Sequence, residues 1–189
     1  MKGDRYVFAV VSIVLLLILI GFAIYLVVTT TRHHKHQEKS WHEACHAFAP
    51  RFINLYNTGS QTGITGAVSF DSQGQTSDGF VHSLGSTSIL IATGCSEGYY
   101  NVEWAITPST GATGSNQFGI FLNGAVVAGS VRNTPLGVQT EGFTTIPGYG
   151  GSVVTLQNVA QTSVNLATLT NNASNASLRL TKVANKCST

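Results

Sequence analysis

Residues 117–130 read Q-F-G-I-F-L-N-G-A-V-V-A-G-S. Two apolar runs flank the dipeptide Asn123-Gly124. Asn and Gly tolerate the positive φ angles of a two-residue type I′ turn, so the stretch predicts a β-hairpin with Asn123 and Gly124 at its tip. Outward from it, short apolar runs alternate with Gly, Ser, Thr and Asn. The pattern predicts strands at 67–71, 80–82, 88–93, 99–107, 117–122, 125–131, 142–146, 152–158, 163–168 and 177–183. Val102, Trp104 and Ile106 alternate with Asn101, Glu103 and Ala105; Leu178 and Leu180 alternate with Ser177, Arg179 and Thr181. Period-two alternation with one wet face belongs to antiparallel sheets. Many short strands at spacings of about 8–12 residues predict an all-β antiparallel sandwich or jelly roll. We place it at residues 63–189.

The N-terminal part is different. After a short tail at 1–5, residues 6–28 form an uncharged run of 23, Y-V-F-A-V-V-S-I-V-L-L-L-I-L-I-G-F-A-I-Y-L-V-V. As a helix it spans roughly 34 Å, enough for a bilayer core of about 30 Å. Tyr6, Leu16, Gly21, Tyr25 and Val28 mark its course, with the two Tyr rings near its ends, where amphipathic side chains favour the interface. A signal peptide is the competing reading. Its apolar region would be shorter and end at small residues, whereas Thr29-Thr30-Thr31-Arg32 follows here. Lys2 and Arg5 precede the run, while Arg32, Lys35 and Lys39 follow it. This count slightly favours a cytosolic C-terminal side and leaves orientation open.

Residues 29–62 read as a His-rich stalk with short helical pieces. Trp41, Cys45, Phe48, Phe52 and Tyr56 recur at helical spacing, and Pro50 interrupts them.

Charged residues are 10% of the 189-residue chain, against roughly 25% in an average soluble domain. Formal net charge is +2. Phosphate affinity rests on Lys and Arg, so this excludes a nucleic-acid binder working through a basic patch. From residue 47 onward five acids balance five bases. A neutral, sparsely charged surface packs readily against copies of itself or other subunits.

His42-Glu43-Ala44-Cys45-His46 matches H-E-x-x-H, which on a helix sets two zinc ligands and a general base on one face. Five of the six His fall within 33–46, which favours a chance match, and Pro50 limits the helix. No bound metal, catalytic residue or cofactor is expected. The His33, His34, His36, His42 and His46 cluster reads as a solvated stalk, with pH sensing as the alternative. Cys45, Cys95 and Cys187 are an odd set. Cys45 and Cys187 bracket the β region and form a candidate disulfide, with free thiols the alternative. Asn172-Ala-Ser and Asn175-Ala-Ser are candidate glycosylation sites if the domain enters a secretory lumen.

A family resemblance adds to this. Residues 93–102, T-G-C-S-E-G-Y-Y-N-V, resemble the G-x-Y-x-V strand of tumour-necrosis-factor-like and complement globular-head jelly rolls. Residues 118–130 resemble the F-x-L-x-L-N-G-x-x-V-x-G-S hairpin in the C-terminal domain of collagen-like spore-surface glycoproteins. The runs V-T-L-Q-N-V at 154–159 and A-S-L-R-L-T-K-V-A at 176–184 follow in the same order. The resemblance spans roughly half the chain, residues 91–184, and implies a jelly roll that assembles as a homotrimer, with no catalytic residues to carry over. Tyr99, Tyr100, Phe118 and Phe121 are then candidates for the core or the trimer contact. A membrane run stands where the spore proteins carry a Gly-X-Y tract. Similar domains occur in proteins of large DNA viruses and phages.

The expected function is therefore non-enzymatic and structural. The chain is expected to be a membrane-anchored trimer in a virion, such as a minor capsid or spike-like protein joining bilayer to capsid proteins. The alternatives are a cell-surface ligand of the tumour-necrosis-factor type or adhesion module and, more remotely, a zinc protease through His42, Glu43 and His46.

Overall fold

Leu15–Arg32 form a helix, α1, in a computed structural model that describes residues 15–32, 50–94, 96–109, 116–171 and 173–186. It is 18 residues long with a mean hydropathy of 2.1, long and apolar enough to cross a membrane. The side chains of Leu16, Tyr25 and Val28 are exposed along it, as is Gly21. Thr29, Thr30 and Thr31 each turn their hydroxyls back onto carbonyls three and four residues earlier. The helix thereby satisfies its own polar groups, as an apolar medium requires. Tyr6 lies outside the described residues.

The chain divides into two compact units, Met1–Ala47 and Phe48–Thr189. The second is a sandwich of two antiparallel sheets. One sheet has the order β2-β1-β11-β5-β9, built from Ser72–Thr76, Phe52–Asn57, Ala176–Asn185, Gly98–Ile106 and Thr140–Gly148. The other has the order β3-β4-β10-β6-β7, built from Phe80–Val81, Ile89–Ile91, Val153–Asn158, Gln117–Leu122 and Ala125–Val126, with β8 (Arg132–Asn133) also beside β6. The last strand therefore lies in the middle of its sheet, between the first strand and β5.

Alternation explains the layers. Tyr100, Val102, Trp104 and Ile106 of β5 point inward and are buried, and so are Leu178 and Leu180 of β11. They meet Ile89 and Ile91 of β4, Val154 and Leu156 of β10, and Phe118 and Ile120 of β6. Asn123 and Gly124 have φ of 52° and 80° and join β6 to β7, with Leu122 opposite Ala125.

Five differences from the expected elements have physical causes. Residues 52–57, expected as helical, form β1. Ile53 and Leu55 alternate inward, and β1 bonds to both β11 and β2, so pairing outweighs the spacing of Phe52 and Tyr56. The expected strand at 67–71 is an extended crossing segment. Val68 and Phe70 are buried, but their N–H groups go to Leu156 and Ser86 carbonyls. Residues 163–168 likewise touch the fold through isolated bridges at Val164 and Leu166. The run 125–131 stops as a strand after Val126. Ser130 turns inward there, and its hydroxyl accepts from Ile120 N and donates to Val127 O. β2 and β8 escaped the sequence reading because S-Q-G-Q-T and R-N carry no apolar alternation.

Candidate functional site

The outward face of the β2-β1-β11-β5-β9 sheet is the candidate surface. Directly opposed residues of antiparallel strands share a face. One row across β1, β11, β5 and β9 is Asn54, Arg179, Glu103 and Phe143. The next is Tyr56, Ser177, Ala105 and Glu141, and beyond Asn101 and Thr145 comes Ala184 beside Tyr99 beside Pro147. Val183 faces outward near that end, where the register of β11 on β5 shifts between Lys182 and Ala184. Phe143, Tyr99 and Val183 remain 51%, 46% and 44% exposed. Three large apolar side chains thus stand on one sheet face.

Charge on this face is sparse. Arg179 Nη1 and Glu103 Oε2 stand 3.8 Å apart, both more than half exposed, and such a pair contributes less than about 1 kcal/mol. Thr145 donates to Asn101 Oδ1 at 3.0 Å. A groove of about 340 Å³ runs along the row of Tyr56, Ala105 and Ser177, with Asn54 and Gln139 at its sides and Asn175 in its lining. Its volume is at the lower end for small-molecule sites, and its lining is largely polar.

The inward side of the same strands is polar at one end. Lys182 is buried beside the start of β5, where Gly98 leaves room for its chain. Burial pushes the Lys182 ammonium below its ordinary range, Arg51 adds to this and Glu97 opposes it. The Tyr100 hydroxyl donates to Ser96 O. Burial pushes that phenol up to about 12, with the Arg51 charge pulling the other way. This cluster ties the 96–98 turn to the sheet.

The aromatic candidates separate by role. Tyr100 and Phe118 are fully buried in the core, Phe121 is half-buried, and Tyr99 is exposed. Phe143 and Val183 were missed. A lone Phe between Gly142 and two Thr carries no sequence signal until the register of β9 on β5 is known.

Asn175 is not an exposed sequon. It is 1% exposed, and its Nδ2 donates to Gly59 O and Ala167 O, both at 2.9 Å. The candidate glycosylation site at Asn175 is buried because its polar side chain satisfies backbone groups inside the fold. Asn172 lies outside the described residues, as do Cys45, Cys95 and Cys187 and the whole His42-Glu43-x-x-His46 motif. Among the described residues, no group of three or more His, Cys, Asp or Glu is placed to hold a metal. His82 Nδ1 is 2.9 Å from Ser88 O, a structural contact to a neighbouring loop carbonyl.

No family model matches the sequence, and no curated protein matches it. Solved structures do match the fold. Murine APRIL at pH 5.0 superposes with a TM-score of 0.52 at 10% identity, covering 71% of this chain and all of that one. Pika GITRL matches with a TM-score of 0.46 at 11% identity over 72% of this chain and 99% of that one. The globular domain of zebrafish complement 1qA matches with a TM-score of 0.49 at 8% identity over the same shares. The match to murine APRIL shows a shared jelly-roll fold; at 10% identity the likeness concerns fold alone.

Proposed function

We propose that the chain is a non-enzymatic structural protein, held in a membrane by its N-terminal helix and assembled as a homotrimer through the outward face of the β1-containing sheet. The observation that carries this reading is the exposure of Tyr99, Phe143 and Val183 on a sheet face with few charges. Trimer contacts on the scale of stable interfaces, about 800 Å² per partner, would cover them. The groove beside Tyr56 is open and shallow enough to take a side chain from a neighbouring copy. The number three comes from the family resemblance, which the jelly-roll fold supports.

The leading cellular role is a virion component that joins an internal membrane to capsid proteins. The neutral domain and the exposed apolar residues of the sheet face support a display role over chemistry. In purified particles, the chain is expected to resist high-salt washing and to be released by detergent. Recovery of the chain instead at the plasma membrane, with its β domain open to added antibody, would favour the surface-ligand reading.

A further inference from the structure

Asn175-Ala176-Ser177 has the chemistry of an acceptor for Asn-linked glycans, yet its amide is an internal strut. Besides the two bonds from Nδ2, Oδ1 accepts from Asn57 Nδ2 at 2.7 Å. The backbone N–H donates to Asn57 O, and the backbone carbonyl accepts from Thr107 N. The side chain therefore joins the end of β1, the turn at Gly59 and the segment at Ala167, and the backbone of the same residue adds the end of β5. A glycan would replace one of the two Nδ2 hydrogens and set a bulky polar group where the residue is only 1% exposed. The folded domain and a glycan at Asn175 exclude one another.

Strand order decides when this matters. β11 begins at Ala176, one residue after the acceptor, and is the last strand made, yet it occupies the centre of its sheet. The sheet cannot close before β11 exists. Until then the sequon is unpaired and open to a modifying enzyme in any lumen that has one. Folding is secure only on the side of the membrane that lacks the enzyme. Lys and Arg counts agree, with Arg32, Lys35 and Lys39 following the apolar run against Lys2 and Arg5 before it.

We infer that the β domain folds on the cytosolic face of the membrane, and that Asn175 is a structural asparagine that carries no glycan. The inference rests on the reading of residues 6–28 as an anchor. The full chain, carrying Ser174→Ala so that Asn175 is the remaining sequon and a C-terminal epitope, is translated with endoplasmic-reticulum microsomes. The expected product resists carbonate extraction, loses its epitope to added protease in intact vesicles, and does not shift with peptide N-glycosidase F. Release by carbonate would overturn the anchor on which the inference rests. A carbonate-resistant chain with a protected epitope or a removable glycan would overturn the orientation alone. Substituting Arg32, Lys35 and Lys39 by Gln is expected to turn part of the chain to the lumen. That fraction should be glycosylated and lack a trypsin-resistant core, and Ser177→Ala should restore the core while abolishing the glycan. A glycosylated fraction that retains the core would overturn the structural role of Asn175.

Discussion

At the scale of residues, polar groups inside the sandwich set its conditions of stability. The Tyr100 phenol stays protonated in the fold until about pH 12, whereas an unfolded Tyr ionises near pH 10. Between those values the folded state holds more protons than the unfolded one, so stability falls as pH rises above about 10. Tyr100→Phe removes this fall, at the loss of the bond to Ser96 O. Lys182 contributes a slope of opposite sign that is common to both proteins, because its lowered pKa penalises the fold until the ammonium deprotonates. Melting temperatures from pH 8 to 11.5 are expected to decline less steeply for Tyr100→Phe than for the wild type. Parallel curves would contradict the buried phenol. Asn123-Gly124 shows how much one dipeptide reveals, because its chemistry permits the φ values found there. Asn175 shows the limit. Its sequon is legible, but burial depends on contacts from Asn57 and Gly59, distant in sequence.

At the scale of elements, alternation carried the reading and its absence defeated it. β5, β10 and β11 announce themselves through buried residues at period two, and β6 through the Asn123-Gly124 turn that follows it. β1 was masked by a four-residue spacing running through Phe48, Phe52 and Tyr56, and only its pairing with β11 shows why Ile53 and Leu55 face the core. β2 is a polar edge strand held by backbone bonds to β1, which residue type does not encode. The domain therefore needs residues before position 60. A chain of residues 60–189 loses β1, two core side chains each contributing about 1.5–3 kcal/mol, and the acceptor carbonyl of Gly59. Those losses approach the whole stability of a small domain, about 5–15 kcal/mol. Residues 48–189 should melt cooperatively, and residues 60–189 should not. Equal cooperative transitions would show that β1 is dispensable.

At the scale of the whole molecule, the account joins an apolar helix to a neutral jelly roll with an uncovered face. Composition and hydropathy made the helix and the low charge visible from the start. The face was not visible, because Phe143, Tyr99 and Val183 lie on three different strands and come to one sheet face only through β5–β9 and β5–β11 pairing, with Asn101 and Thr145 between Phe143 and Tyr99. Self-association through this face is the central claim, and Phe143 is its most exposed aromatic. The most direct test is sedimentation equilibrium of the full chain in a density-matched detergent at micromolar concentration, alongside Phe143→Glu. The account predicts the mass of three chains for the wild type, and a monomer with an unchanged β-sheet spectrum for Phe143→Glu. A wild-type chain that sediments as a monomer would contradict it.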